Sequence, residues 1–298
     1  MINKLAIIII ILLFSCVYSF EILTGVKVGY LGWRPYLEEI GEKLEYTGWQ
    51  HLETGSGLMY GPNLSLIFGK RFSLSASFLY GQLSSRYDVT YSAVFPGEPG
   101  SSEYDLIGMV RIWRGDLDIA LSYNIIRYLR VFAGFKYQPT KLEVKYAGIK
   151  TSNYNNTAIV LRESDIFELK NFAPAMGIGF LLPLTEKSVY TVNISALYLR
   201  GTLKVKSSYQ WTKIGDIESG EGNDRMDFNI TGCGVSADPA FMFTVKPRVV
   251  FVVGFRVQYI YAIGEKTYTS FADNVNLYRK LNGHDAVFGC MVSVNYKL

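Results

Sequence analysis

Asp116 and Asp118 stand two residues apart. On a strand that spacing puts both carboxylates on one face, as paired acids need for general acid–base work. Such chemistry also needs a base or nucleophile within reach. The only histidines are His51 and His284, and neither lies in an acidic motif. The sequence spells no glycine-rich phosphate loop, no clustered His/Cys metal site and no nucleophile elbow. The acidic run Asp216, Glu218, Glu221 and Asp224 lacks calcium-loop spacing and reads as a solvated surface loop. Arg114-Gly115-Asp116 spells an adhesion tripeptide, but inside a strand and at an expected bulge. The expectation is a non-enzyme with no catalytic, cofactor-binding or metal-binding residues.

A second group of charges is harder to dismiss. Asp116, Asp118, Arg130, Lys136, Asp238, Arg248, Arg256, Asp285 and Lys297 occupy the inward-facing parity of alternating stretches. Inward charges in a narrow barrel either neutralise one another as structural ion pairs or line a path for a small solute. Across a hairpin turning at Arg127, Asp118 falls opposite Lys136. Asp238 is expected diagonally near Arg256.

These positions require strands, and alternation supplies them. In residues 248–261 (RVVFVVGFRVQYIY) every odd position is apolar or aromatic, from Val249 to Tyr261. The even positions include Arg248, Gly254, Arg256 and Gln258. In residues 71–80, Phe72, Leu74, Ala76, Phe78 and Tyr80 oppose Arg71 and three serines. Period two over such lengths means strands with one apolar and one polar face. Short turns recur at Gly69-Lys70, around Arg127, at 183–187 and at 245–247. Long polar segments lie between them, at about 35–55, 94–103, 149–167, 207–226 and 264–283. Short turns alternating with long loops are the pattern of transmembrane barrels.

Strands are expected to start near residues 22, 56, 71, 103, 129, 169, 188, 227, 248 and 284. Antiparallel partners must share a face. Leu121 with Ala133, Phe180 with Val192, and Phe243 with Val249 satisfy that rule. Some stretches switch their apolar parity about ten residues above the short turns, as at Leu83, at Val110–Ile112 and after Pro139. Bulges or kinks are expected there, with the barrel continuing beyond the membrane as a collar. Tyr80, Tyr137 and Tyr198 would form the outer aromatic girdle.

Composition agrees. Tyr (22) and Phe (18) are abundant, and 49% of residues are hydrophobic, yet past residue 19 the apolar content is chopped into alternating stretches. Residues 1–19 read as a signal peptide, with Lys4 ahead of the apolar run 5–14 and Val17-Tyr18-Ser19 at the cleavage site. A retained anchor and lipidation at Cys16 are the alternatives. Removing Lys4 lowers the formal charge from +4 to +3. That balance excludes the concentrated basic face of a nucleic-acid binder. Cys233 and Cys290 fall on strands that are not neighbours and are expected as free thiols.

Residues 286–298 (AVFGCMVSVNYKL) alternate Ala286, Phe288, Cys290, Val292, Val294, Tyr296 and Leu298 on one face. This resembles the C-terminal assembly strand of Gram-negative outer-membrane β-barrel proteins, with Leu298 where that pattern usually has Phe. The resemblance implies insertion into outer-membrane lipid through the barrel-assembly machinery. About 280 residues after the leader and ten strands also match the omptin surface proteases in size. Their acid pairs and rim histidine have no counterpart here.

The expectation is thus an all-β chain. Residues 20–298 form a transmembrane antiparallel up-and-down β-barrel of about ten strands (8–12), with an extracellular collar and long outer loops. Its expected role is a narrow channel or transporter for small solutes. The alternatives are a surface structural or adhesion barrel without transport, and a rim hydrolase of omptin or lipase type.

Overall fold

The computed structural model describes residues 20–36, 55–69, 71–93, 102–152, 157–215, 219–269 and 276–298. The expected signal peptide, His51, Asp216 and Glu218 lie outside the described residues. Ten strands follow in chain order: β1 Phe20–Arg34, β2 Gly55–Phe68, β3 Phe72–Ala93, β4 Ser102–Ile126, β5 Leu129–Ser152, β6 Thr157–Thr185, β7 Ser188–Lys213, β8 Ser219–Lys246, β9 Val249–Thr269 and β10 Asn276–Lys297. Each pairs antiparallel with its chain neighbours, and β1 pairs with β10. The sheet therefore closes and leaves no edge to be satisfied in lipid.

Three of the five expected long loops are mostly strand; the other two, at 35–55 and 94–103, lie almost wholly outside the described residues. β5 runs to Ser152 and β6 begins at Thr157; β7 runs to Lys213 and β8 begins at Ser219; β9 runs to Thr269 and β10 begins at Asn276. Polar composition misled here because a strand standing in water carries polar residues on its outer face. The strands reach 29 residues in β6. About 9–11 tilted residues cross the hydrocarbon, so most strands continue well beyond it.

Two of the three expected hairpin registers hold: Leu121↔Ala133 and Phe180↔Val192. The third is displaced by two residues: the turn lies at Pro247-Arg248 rather than at 245–247, so Phe243 pairs with Phe251 rather than with Val249. The faces stay matched, since two residues restore the period.

The expected bulges at the parity switches are absent. Among the described residues, register shifts occur only beside short turns, at Asn124/Ile126, Pro183/Thr185 and Thr244/Lys246. Through Pro139 the β5–β6 ladder keeps one register, from Leu129↔Phe180 to Ser152↔Thr157. What changes is the composition of each face.

β7 displays the inversion along a single strand. Near its turn end, Val192 and Ile194 point outward and Thr191, Asn193 and Ser195 inward. Farther up, Arg200, Lys204 and Lys206 are exposed, while Leu197, Leu199, Leu203 and Val205 are buried. β5 repeats it, with Val131, Ala133 and Phe135 outside its lower half but Lys141, Glu143 and Lys145 outside its upper half. In hydrocarbon the outer face must be apolar; in water the inner one must be.

Two rings of outward aromatics bound the apolar band. Phe72 packs on Tyr123 and Phe243 on Phe251 at the short-turn end. Tyr30, Tyr60, Tyr80, Tyr198 and Tyr259 stand exposed at the other boundary, and Tyr137 shares that outward face half-buried. Such belts sit where hydrocarbon meets headgroups. Above the upper belt the lumen is filled by a core that includes Leu83, Ile112, Leu142, Phe167, Leu203 and Phe228, all at most 3% exposed.

Candidate functional site

The lumen charges gather where β4, β5, β8 and β9 face one another. The hairpin register that sets Asp118 opposite Lys136 also sets their charged atoms 3.1 Å apart. The two-residue displacement of this hairpin from the expected pairing improves the second pair. Ala237↔Val257 and Ala240↔Gly254 place Asp238 directly opposite Arg256 rather than diagonal to it. Arg256 Nε donates to Asp238 Oδ1 at 2.7 Å, and Ser236 Oγ donates to Asp238 Oδ2 at 3.2 Å.

Arg256 does more than pair with its neighbour. Its Nη2 donates to Asp118 Oδ2 at 2.7 Å. In the ring of ten, β4 and β9 are five steps apart and therefore diametrically opposed. One side chain and one carboxylate span the barrel. A direct ion pair crosses the lumen at that level.

A second polar layer lies between this belt and the apolar core. Arg114 Nε donates to Asp116 Oδ1 at 3.2 Å, and Gln138 Nε2 donates to the same oxygen at 2.9 Å. Trp33 Nε1 donates to Asp285 Oδ2 at 2.7 Å, and the Arg114 guanidinium lies 5.0 Å from the Trp33 ring centre. Gln258 Nε2 reaches Gln138 Oε1 at 3.5 Å. Arg114 and Asp116 are each only 2% exposed, so the adhesion tripeptide is not presented to any partner. Its stretch of β4 carries no bulge either.

Of the nine expected inward charges, Asp116, Asp118, Lys136, Asp238, Arg256 and Asp285 belong to these two layers. Arg130 lies nearer the turn end, where Asn193 Oδ1 accepts from its Nε and Nη2 at 3.1 and 2.6 Å. Asn193 is on β7, two strands away, and the contact passes over β6 at Gly179. A Cβ there would stand 2.5 Å from Arg130 Nε and 2.6 Å from Asn193 Oδ1. Lys297 keeps the inward parity but sits at the mouth, paired with Glu21 at 2.7 Å. Arg248 is corrected. It occupies the β8–β9 turn, is exposed, and donates to the Tyr296 hydroxyl at 3.4 Å. The turn lies at Pro247-Arg248 rather than at 245–247, and Arg248 anchors at the interface, as Arg71 does with Tyr123.

Sequence reasoning missed Lys27, Arg114, Gln138 and Gln258. Lys27 was findable, because β1 alternates Val26, Val28 and Tyr30 outward with Leu23, Gly25 and Lys27 inward. Below the charge belt a cavity of about 430 Å³ opens toward the short turns. Lys27, Asp118, Lys136 and Arg256 form its ceiling, Arg130 and Asn193 its side, and Ser73, Ser75 and Ser77 a hydroxyl wall on β3.

Among the described residues no three His, Cys, Asp or Glu side chains gather as metal ligands do. His284 sits on the outer face between the rings of Tyr259 and Tyr261. Cys233 and Cys290 are free and exposed, as expected from their separate strands.

No known family profile matches the chain, and no curated protein matches it in sequence. Solved structures do resemble it. The outer-membrane protease OmpT from Escherichia coli is 12% identical, over 94% of this chain and 98% of that one, with a TM-score of 0.42. The translocator domain of the autotransporter NalP from Neisseria meningitidis is 10% identical, over 99% and 96%, with a TM-score of 0.36. Neisserial surface protein A is 9% identical, over 93% and 98%, with a TM-score of 0.31. At these identities and TM-scores the likeness assigns neither a family nor a subfamily.

Proposed function

We propose that the protein is a non-conducting, non-enzymatic outer-membrane barrel whose lumen is shut and whose collar is its working surface. The ion pair from Asp118 to Arg256 across the barrel's diameter carries this reading. Two further barriers lie in series with it: the Arg114–Asp116–Gln138 layer and the apolar core of the collar. Short turns at one end of the barrel are the usual periplasmic signature, which supports an orientation with the collar outside the cell. Its outward Arg111, Lys141, Lys145, Lys204 and Lys206 give that surface a basic side. Outer-membrane lipid meets the apolar band, and the C-terminal strand engages the barrel-assembly machinery.

Single-channel recording of refolded protein in planar bilayers tests the closure. The expected trace is flat, and reproducible unitary steps that shift with Asp118→Asn overturn the reading. The second reading, a narrow path for small solutes, draws on the same charges and requires Arg256 to swing aside. Under it Arg256→Gln raises conductance; under closure the apolar core still blocks ions in that variant.

A further inference from the structure

We propose that the cavity below the charge belt is a binding site for a small oxyanion, phosphate or a short carboxylate, entering from the short-turn end. Its walls hold four cations, Lys27, Arg130, Lys136 and Arg256, against two carboxylates, Asp118 and Asp238. Lys136 and Arg256 hold both acids, at 3.1, 2.7 and 2.7 Å. That leaves Lys27 and Arg130. Among the described residues no carboxylate lies within 4.0 Å of either, and the oxygen held by Arg130 belongs to the neutral amide of Asn193.

Two surplus positive charges in a confined, low-dielectric cavity create a field that an anion would neutralise. The belt closes the top, so the field has one open direction. Gly179 keeps the Arg130 guanidinium stretched along the wall, because any Cβ there would displace it. The volume of about 430 Å³ falls in the range of small-molecule pockets, about 300–1,000 Å³. Serine hydroxyls of β3 supply neutral donors on one side, and Met242, Val250 and Val252 supply an apolar side for a short carbon chain. The inference goes beyond the closed-barrel reading, since a conducting barrel could bind here and a closed one need not.

Titration calorimetry on the refolded full chain in detergent, with inorganic phosphate and succinate in separate arms, is the test. Saturable binding in either arm is expected, and the arm that binds identifies the oxyanion. The Lys27→Gln/Arg130→Gln variant should weaken it at least tenfold, about 1.4 kcal/mol. Asn193→Asp supplies Arg130 with an internal carboxylate, keeps the barrel intact by heat-modifiable migration, and should also weaken binding. Lys204→Gln/Lys206→Gln, on the collar exterior, should leave affinity unchanged. No saturable binding in either arm, or equal affinity in wild type and Asn193→Asp, overturns the proposal.

Discussion

The apolar band and the collar are built from the same strands in the same unbroken register, yet they are inside-out versions of one another. On β7, Ile194 outside and Asn193 inside become Lys204 outside and Leu203 inside, with no residue inserted between them. The backbone does nothing different at the boundary. Only the solvent does, and each face takes the polarity of what it meets. The upper half is thereby a water-soluble β-barrel with an ordinary apolar core, joined end to end to a membrane barrel with a polar core.

Substitutions that set one half against the other put this to the test. The largest effect is expected at the belt. Arg256→Gln leaves Asp118 and Asp238 without their shared partner in a confined lumen, and removing one member of a buried ionic group costs about 3–5 kcal/mol. Denaturant unfolding in lipid vesicles reads it directly, and a loss under about 1 kcal/mol would mean the belt is hydrated like a wet pore. Next comes a matched pair of outward positions. Phe255→Arg places an outward charge midway between the belts of Phe251 and Tyr259 and should cost about 2–4 kcal/mol. Thr202→Arg, equally outward but on the collar, should change stability by no more than about 0.5 kcal/mol. Equal costs would erase the proposed boundary.

The smallest effect belongs to the collar surface. The hydrogen bond from Lys145, at 2.7 Å, holds the Glu143 carboxyl below its ordinary range. A lowered folded-state value contributes stability above the unfolded value near pH 4, and that contribution is lost as pH falls through the folded value. Lys145→Gln should remove under about 0.5 kcal/mol at neutral pH, and less as pH falls through the folded-state value.

Much of this was legible in the sequence, and the failures have physical causes. Ten antiparallel strands, the aromatic belts and the Asp118–Lys136 pair follow from period-two alternation and short turns. Alternation was then mistaken for its own interruption above the upper belt. A switch in which parity is apolar has two origins, a bulge that turns the strand over or a change of solvent around an unturned one, and a single strand's sequence cannot separate them. The ladders can. The same error made loops of the collar strands, whose outer residues are as polar as loop residues. Arg248 was misplaced and Arg256 set diagonal to Asp238 by one cause, a turn at Pro247-Arg248 that displaces the pairing by two residues, leaves face parity intact and so leaves no trace in the pattern. The contact across the diameter, between residues 138 positions apart, is beyond any local reading.

That contact also dates itself within the folding sequence. Asp118 and Arg256 lie on opposite walls, so a flat or partly curled sheet keeps them far apart, and they meet only when β1 reaches β10. Until then each travels with a local companion, Lys136 or Asp238, across a hairpin that forms early because its loop is short. The two hairpins each carry a neutral ion pair, and their union registers that the cylinder is complete. A slowly closing variant would accumulate the hairpin pairs without the cross-barrel one, which makes this single hydrogen bond a clock for closure.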